Sequence, residues 1–224
     1  MKKLSKKLDE QEYIIVEPSL VNPNTKYPLI FLLHGYGSNM YDLANLCEYI
    51  DSDKYIYICP NAPFKMDIGY ESKGFSWFDL EKNDISAEKN HYCNLIIKLI
   101  NLIDKEYNID LNKMILGGFS QGAMVTYDFG FSMHNYFAGL LAMSGKLRDK
   151  ESFMYIDKNN PDEKIFISHG LYDNVISVNE GREANKILVN RGFEVEYNEY
   201  PIAHEISFDV INDMKIWIKR IFDK

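Results

Sequence analysis

Ser120 has the residue type and the setting for nucleophilic catalysis. It lies in the run Gly118-Phe119-Ser120-Gln121-Gly122, which matches G-x-S-x-G, the sharp strand-to-helix turn that holds a serine hydroxyl away from the backbone. The flanking glycines suit such a turn, because the serine takes a strained backbone conformation and a side chain two positions away would collide with the neighbouring strand or helix. A serine hydroxyl is a weak nucleophile at neutral pH and needs a base within hydrogen-bond reach, usually a histidine oriented by a carboxylate. The chemistry on offer is attack on an acyl carbonyl. The bland alternative is a Gly-rich turn whose serine only caps a helix.

The chain has 5 histidines to serve as the base. His91 falls on a surface helix and His134 at the end of the helix after Ser120, both facing away from the expected site. His34 and His169 directly follow apolar strands and precede glycines, the setting of a buried imidazole bonded to loop backbone. His204, in Pro201-Ile202-Ala203-His204-Glu205, follows the last strand and stands just before the C-terminal helix; it is the expected base. For the carboxylate, Asp173 in His169-Gly170-Leu171-Tyr172-Asp173 sits a few residues beyond an apolar strand. Asp128, Asp157 and Asp162 lie inside a helix or on a polar insertion and read as solvated or structural. The order Ser120, Asp173, His204 is that of the α/β-hydrolase topology and differs from the orders of chymotrypsin and subtilisin. Attack on the carbonyl develops an oxyanion that needs preorganised donors. The backbone N–H groups of Gln121, after the nucleophile, and of Tyr36, in the Gly-flanked turn after its strand, are the expected pair.

These residues need a scaffold that brings strand ends together. Apolar runs at 13–17, 29–33, 55–59, 114–116, 137–143, 164–168 and 194–200 read as strands, the first as an edge strand. Segments 41–50, 86–107, 121 onward, 177–191 and 206 to the end read as helices. Ser177 with Glu180 forms an S-x-x-E capping box, and Gly192 closes the same helix. The alternation predicts an α/β fold with a mainly parallel central sheet and helices on both faces, in which chemistry gathers at the carboxyl ends of the strands. His34, Ser120, Asp173 and His204 all stand at such places. The polar insertion 146–163 is too short for a large lid domain. The segment 61–80 is a long loop rich in aromatics that should cover something; Phe75, Trp77 and Phe78 are expected to line an acyl groove, the rival view being ordinary core. Val175, just beyond Asp173, joins them as a substrate-binding candidate.

A chain of 224 residues with 46% hydrophobic residues can bury a sizeable core, and one domain over 1–224 is expected, with 1–12 a flexible N-terminal segment. No apolar run is long enough to span a bilayer, and the basic start has no apolar stretch of the kind a secretory signal requires. A cytoplasmic enzyme is expected. Cys47, Cys59 and Cys93 show neither disulfide nor zinc-ligand spacing and read as buried thiols. With 33 acidic against 25 basic residues, the net charge of -8 disfavours nucleic acid and anionic lipid as partners. A small-molecule substrate is expected, with no metal and no cofactor.

Leu32 to Asn39 (LLHGYGSN), Pro60 to Pro63 (PNAP), Ser76 to Asp79 (SWFD), Gly117 to Gly122 (GGFSQG), His169 to Asp173 (HGLYD) and Ala203 to Glu205 (AHE) together resemble the phospholipase/carboxylesterase family, which includes small bacterial carboxylesterases and acyl-protein thioesterases. The resemblance runs from about Tyr13 to the C-terminus and departs from the family at Ala203 and in the region of Ser177. It implies a lidless α/β-hydrolase with Ser120 as nucleophile, Asp173 and His204 as its partners, and Tyr36 and Gln121 as backbone donors. It further implies an acyl pocket partly covered by the loop before Ser76. The expected activity is hydrolysis of short to medium chain acyl esters by a monomer or homodimer. Acyl-protein thioesterase and lysophospholipase activities are the alternatives, and a non-catalytic binding protein is disfavoured because no member of the triad is missing.

Overall fold

A computed structural model describes residues 1–69, 73–82, 84–133, 135–148, 150 and 164–223. The insertion 146–163 thus lies mostly outside the described residues, with Asp157 and Asp162, as does His134. Two compact units emerge, Met1–Leu111 and Asn112–Lys224.

In the first unit the strand order is β1 (Lys2–Leu8), β2 (Gln11–Glu17), β4 (Ile56–Pro60), β3 (Tyr27–Leu33). β1–β2 and β2–β4 are antiparallel and β3–β4 is parallel. Leu29 to Leu33 and all of β4 are buried, as their unbroken apolar sequence requires of strands covered on both faces. Two expectations change here. The segment 1–12 is not a flexible lead-in, because Leu4, Lys6 and Leu8 alternate with exposed Lys3, Ser5 and Lys7 and pair along the whole of β2. That pairing also moves β2 off the edge, and the lysines of β1 suit an exposed edge, where charge discourages further strand addition.

The predicted helix 41–50 divides into α1 (Tyr41–Ala44) and α2 (Cys47–Ile50). Between them the bonds tighten to three-residue steps, from Leu46 N–H to Leu43 O and from Tyr49 N–H to Leu46 O. The aromatic loop holds a hairpin, β5 (Phe64–Asp67) against β6 (Lys73–Ser76). α3 (Ser86–Glu106) buries Tyr92, Leu95, Ile96, Leu99, Ile100 and Ile103 along one stripe, the face its three-and-four spacing predicts. Cys47 and Cys59 are buried thiols and Cys93 is half-buried.

The second unit is laid out as β7 (Ile109–Phe119), β8 (Gly139–Met143), β9 (Lys164–Gly170) and β10 (Glu194–Tyr200), each parallel to the next. Between them run α4 (Gln121–Ser132), α5 (Val178–Asn190) and, last, α6 (Phe208–Phe222). One core cluster joins Ala123 and Tyr127 of α4, Ala142, Ile165 and Ile167 of the strands, and Ala184 and Leu188 of α5. Ser177 caps α5 by accepting from Asn179 N–H at 3.3 Å, and Ser207 caps α6 by accepting from Val210 N–H at 3.4 Å. Both caps stand at the end of a loop that carries a candidate site residue, so each helix start anchors one such loop. None of the described helices is long and apolar enough to cross a membrane.

Candidate active site

β7 delivers Ser120 directly into α4, and the turn leaves the serine at φ 56, ψ -115. A non-glycine residue there carries backbone strain of about 1–3 kcal/mol, tolerated only where the surroundings enforce it. The surroundings do: Ser120 N–H donates to Met143 O at 2.9 Å, while Ser120 O accepts from Ala123 and Met124 N–H at 3.0 and 3.2 Å. Gly118 is required by close approach, since a Cβ there would lie 2.3 Å from the backbone of Gly122. The pattern G-x-S-x-G is therefore the mark of a strand and a helix backbone in contact across the serine.

The structure brings Ser120, Asp173 and His204 together. His204 Nδ1 lies 2.6 Å from Asp173 Oδ2, and His204 Nε2 lies 2.8 Å from Ser120 Oγ. A carboxylate can only accept, so Nδ1 carries the proton and Nε2 offers its lone pair to the serine hydroxyl. Asp173 is fixed from its other side: Oδ1 accepts from Val175 N–H at 2.9 Å and Ile176 N–H at 2.8 Å. Three charge-assisted bonds hold one carboxylate, whose side chain is fully buried while that of His204 is 15% exposed. His204 thus keeps a small contact with solvent and is anchored on a dry carboxylate at Nδ1. Phe119 stacks obliquely on the His204 ring, with centroids 4.8 Å apart at 40°. Sequence reasoning missed this contact, although its signal was an aromatic immediately before the serine. His169, expected as a buried imidazole on loop backbone, is buried and bonds to Ile176 O at 2.8 Å.

Gln121, 1% exposed, is the first residue of α4, where N–H groups point out of the helix and the dipole is positive. Tyr36, 49% exposed, belongs to the first unit and lies in the turn after β3. That turn is tied down by backbone: Gly37 N–H donates to Phe75 O and Phe75 N–H donates to Ser38 O, both at 2.9 Å. Gly74 must be glycine for this, since a Cβ there would sit 2.2 Å from Gly37 O. Below it, His34 accepts from Ala62 N–H at Nε2, 3.0 Å, and donates from Nδ1 to Gly35 O at 2.7 Å. Trp77 donates from Nε1 to His34 O at 2.8 Å.

The aromatic residues therefore require correction. Trp77 and Phe78 are each 0% exposed and Phe75 is 8% exposed, so Trp77 and Phe78 are core and do not line an open groove in this structure. The physical reason is the indole N–H, which finds its acceptor inside, at the base of the turn that carries Tyr36. Val175 is the opposite case, 67% exposed beside Asp173.

Burial lowers the pKa of His34 from the usual 6.5 to about 4. Above pH 6.5 the ring is neutral whether the chain is folded or not. As pH falls from 6.5 to 4 the unfolded chain takes up a proton that the native ring refuses, so this site alone should cost about 3 kcal/mol of stability by pH 4. Urea unfolding midpoints measured from neutral to mildly acidic pH should fall more steeply for the native protein than for His34→Gln. Equal slopes would contradict the assignment.

A family model described as Phospholipase/Carboxylesterase matches residues 16–222. The chain is similar to acyl-protein thioesterase 1 of Candida albicans, with 29% identity over 225 residues covering 91% of this chain and 96% of that one. In structure it is similar to the carboxylesterase of Bacillus cereus, with a TM-score of 0.78, 20% identity and 96% of each chain covered. It is also similar to esterase PE8, with a TM-score of 0.75, 23% identity, and 92% of this chain and 97% of that one covered. The structural likenesses speak for the fold, a mostly parallel α/β-hydrolase, and the family model covers nearly all of the chain. The chain belongs to the phospholipase/carboxylesterase family and is a carboxylic ester hydrolase.

Proposed function

We propose that the protein is a serine carboxylesterase that cleaves short to medium chain acyl esters through an acyl-enzyme on Ser120. The observation that carries this is the unbroken chain of hydrogen bonds from Ser120 Oγ through His204 to Asp173, at 2.8 and 2.6 Å. In this reading His204 Nε2 takes the hydroxyl proton as Ser120 attacks the carbonyl, then returns it to the departing alcohol. Water, activated by the same nitrogen, releases the acid. The N–H of Gln121 and the N–H of Tyr36 are the proposed donors to the oxyanion, and none of these steps calls on a cofactor.

Acyl contact falls to the exposed apolar residues beside Asp173, Val175 at 67% and Leu171 at 39% exposure, because Trp77 and Phe78 are committed to the interior. An open apolar surface buries only part of each methylene, worth about 0.8 kcal/mol when fully buried, so gain with chain length should level off early. Hydrolysis of p-nitrophenyl esters from acetate to palmitate should peak at short to medium chains, and a fluorophosphonate probe should label Ser120. A profile still rising at palmitate would favour the second reading, removal of fatty acyl groups from thioesters, which the similarity to an acyl-protein thioesterase supports. A cytoplasmic setting suits either substrate.

A further inference from the structure

We propose that His169 is a positioning residue for the triad: its ring, rooted at the end of β9, holds the following loop in the shape that aims Asp173 at His204. The inference rests on the esterase reading above. His169 Nε2 lies 2.8 Å from Ile176 O, and a carbonyl only accepts, so Nε2–H is the donor. Ile176 is thereby held at both ends, its carbonyl by His169 and its N–H by Asp173 Oδ1 at 2.8 Å. With Val175 N–H also on Oδ1, that oxygen is occupied and Oδ2 is left to face His204. The same Nε2 stands 3.5 Å from Asp173 Oδ2, too long for a hydrogen bond, yet both side chains are fully shielded from water and the N–H dipole acts on the carboxylate unscreened.

The ring is fixed from behind as well. Gly181 of α5 packs against it so closely that a Cβ would lie 2.7 Å from His169 Nδ1. Nδ1 has no partner among the described residues, so everything polar that the ring does for the loop passes through Nε2. A phenylalanine would fill such a site without the desolvation cost of an imidazole, so the donor is what the position uses. The strand that feeds the Asp173 loop thus also supplies its brace, and Ser177, next after Ile176, starts α5. A carboxylate turned by this brace shifts the His204 ring, and an error of about 1 Å in a catalytic group can cost roughly 100-fold.

Two amides of different reach test this. In His169→Gln the amide nitrogen stands as many bonds from Cβ as Nε2 does; in His169→Asn it reaches only the position of Nδ1. We expect His169→Asn to lower kcat on p-nitrophenyl butyrate about 10- to 100-fold with KM unchanged, and to slow fluorophosphonate labelling of Ser120 in proportion. His169→Gln should restore most of both at a similar melting temperature. Equal kcat in the two variants, a folded but inactive His169→Gln, or a loss that simply tracks melting temperature would overturn the proposal. If His169→Asn fails to fold, retention of near native kcat by His169→Gln decides for it. A native protein that neither hydrolyses the ester nor takes the probe refutes the esterase reading instead.

Discussion

Ser120→Ala should abolish nearly all ester hydrolysis, lowering kcat by roughly five orders of magnitude, and His204→Ala should do comparable damage. In the proposed mechanism the three side chains act as one device. Without the hydroxyl there is no atom to attack the acyl carbon. Without the imidazole the hydroxyl keeps its proton, because His204 Nε2 is the only base bonded to Ser120 Oγ among the described residues. The double variant should therefore be no slower than either single one. Asp173→Asn should cost less, by about one to two orders of magnitude, since it keeps the geometry but presents a neutral group to His204 Nδ1. Turnover of p-nitrophenyl butyrate by purified variants measures all of this. Near native kcat in His204→Ala, with loss in His169→Ala, would assign the base to the wrong histidine.

How much of this site could be read from sequence depends on the distance over which each feature is encoded. The turn at Ser120 is local. Gly118, Ser120 and Gly122 report a strand and helix backbone in contact, and the Cβ that Gly118 lacks would strike Gly122 itself. Asp173 and His204 are remote in sequence, yet both stand after apolar strands, and parallel strands bring such ends together. That His204 and not His169 would reach Ser120 was also legible, because an imidazole directly after an apolar strand, before a glycine, is set inside the layer. His169 duly binds its own loop's backbone.

What sequence did not disclose was set by partners elsewhere in the chain. The segment 1–12 was expected to be a flexible N-terminal segment; its strand character comes from the apolar row of β2 that it pairs with. The pairing of β5 with β6 was hidden in an aromatic, glycine-containing stretch whose residues take part in two jobs at once. Phe75 was singled out for its ring, but its backbone N–H and C=O carry the turn at Gly37 and Ser38. Phe119 carried no expectation of its own, and its ring lies against His204, a residue 85 positions away that local sequence does not reveal.

Trp77→Ala is the substitution expected to damage stability most, by about 3–5 kcal/mol, within the range for removing a large buried aromatic. The side chain is 0% exposed, so the change leaves a cavity the size of an indole rather than a wider groove. It also strips His34 O of the N–H donated at 2.8 Å and removes the ring that lies 5.4 Å from the His34 imidazole. An unsatisfied buried carbonyl adds about 1–3 kcal/mol to the cavity term, which places the total toward the upper end. In a domain of this size each kcal/mol corresponds to about 2–4 °C in Tm, so melting should fall by roughly 10 °C or more. Because His34 begins the turn that carries Tyr36, kcat should drop for every ester alike if Tyr36 donates to the oxyanion, while the ranking of chain lengths stays unchanged. Thermal unfolding together with the p-nitrophenyl series separates the outcomes. A native-like Tm with an altered chain-length ranking would put Trp77 back on the substrate surface and remove it from the core.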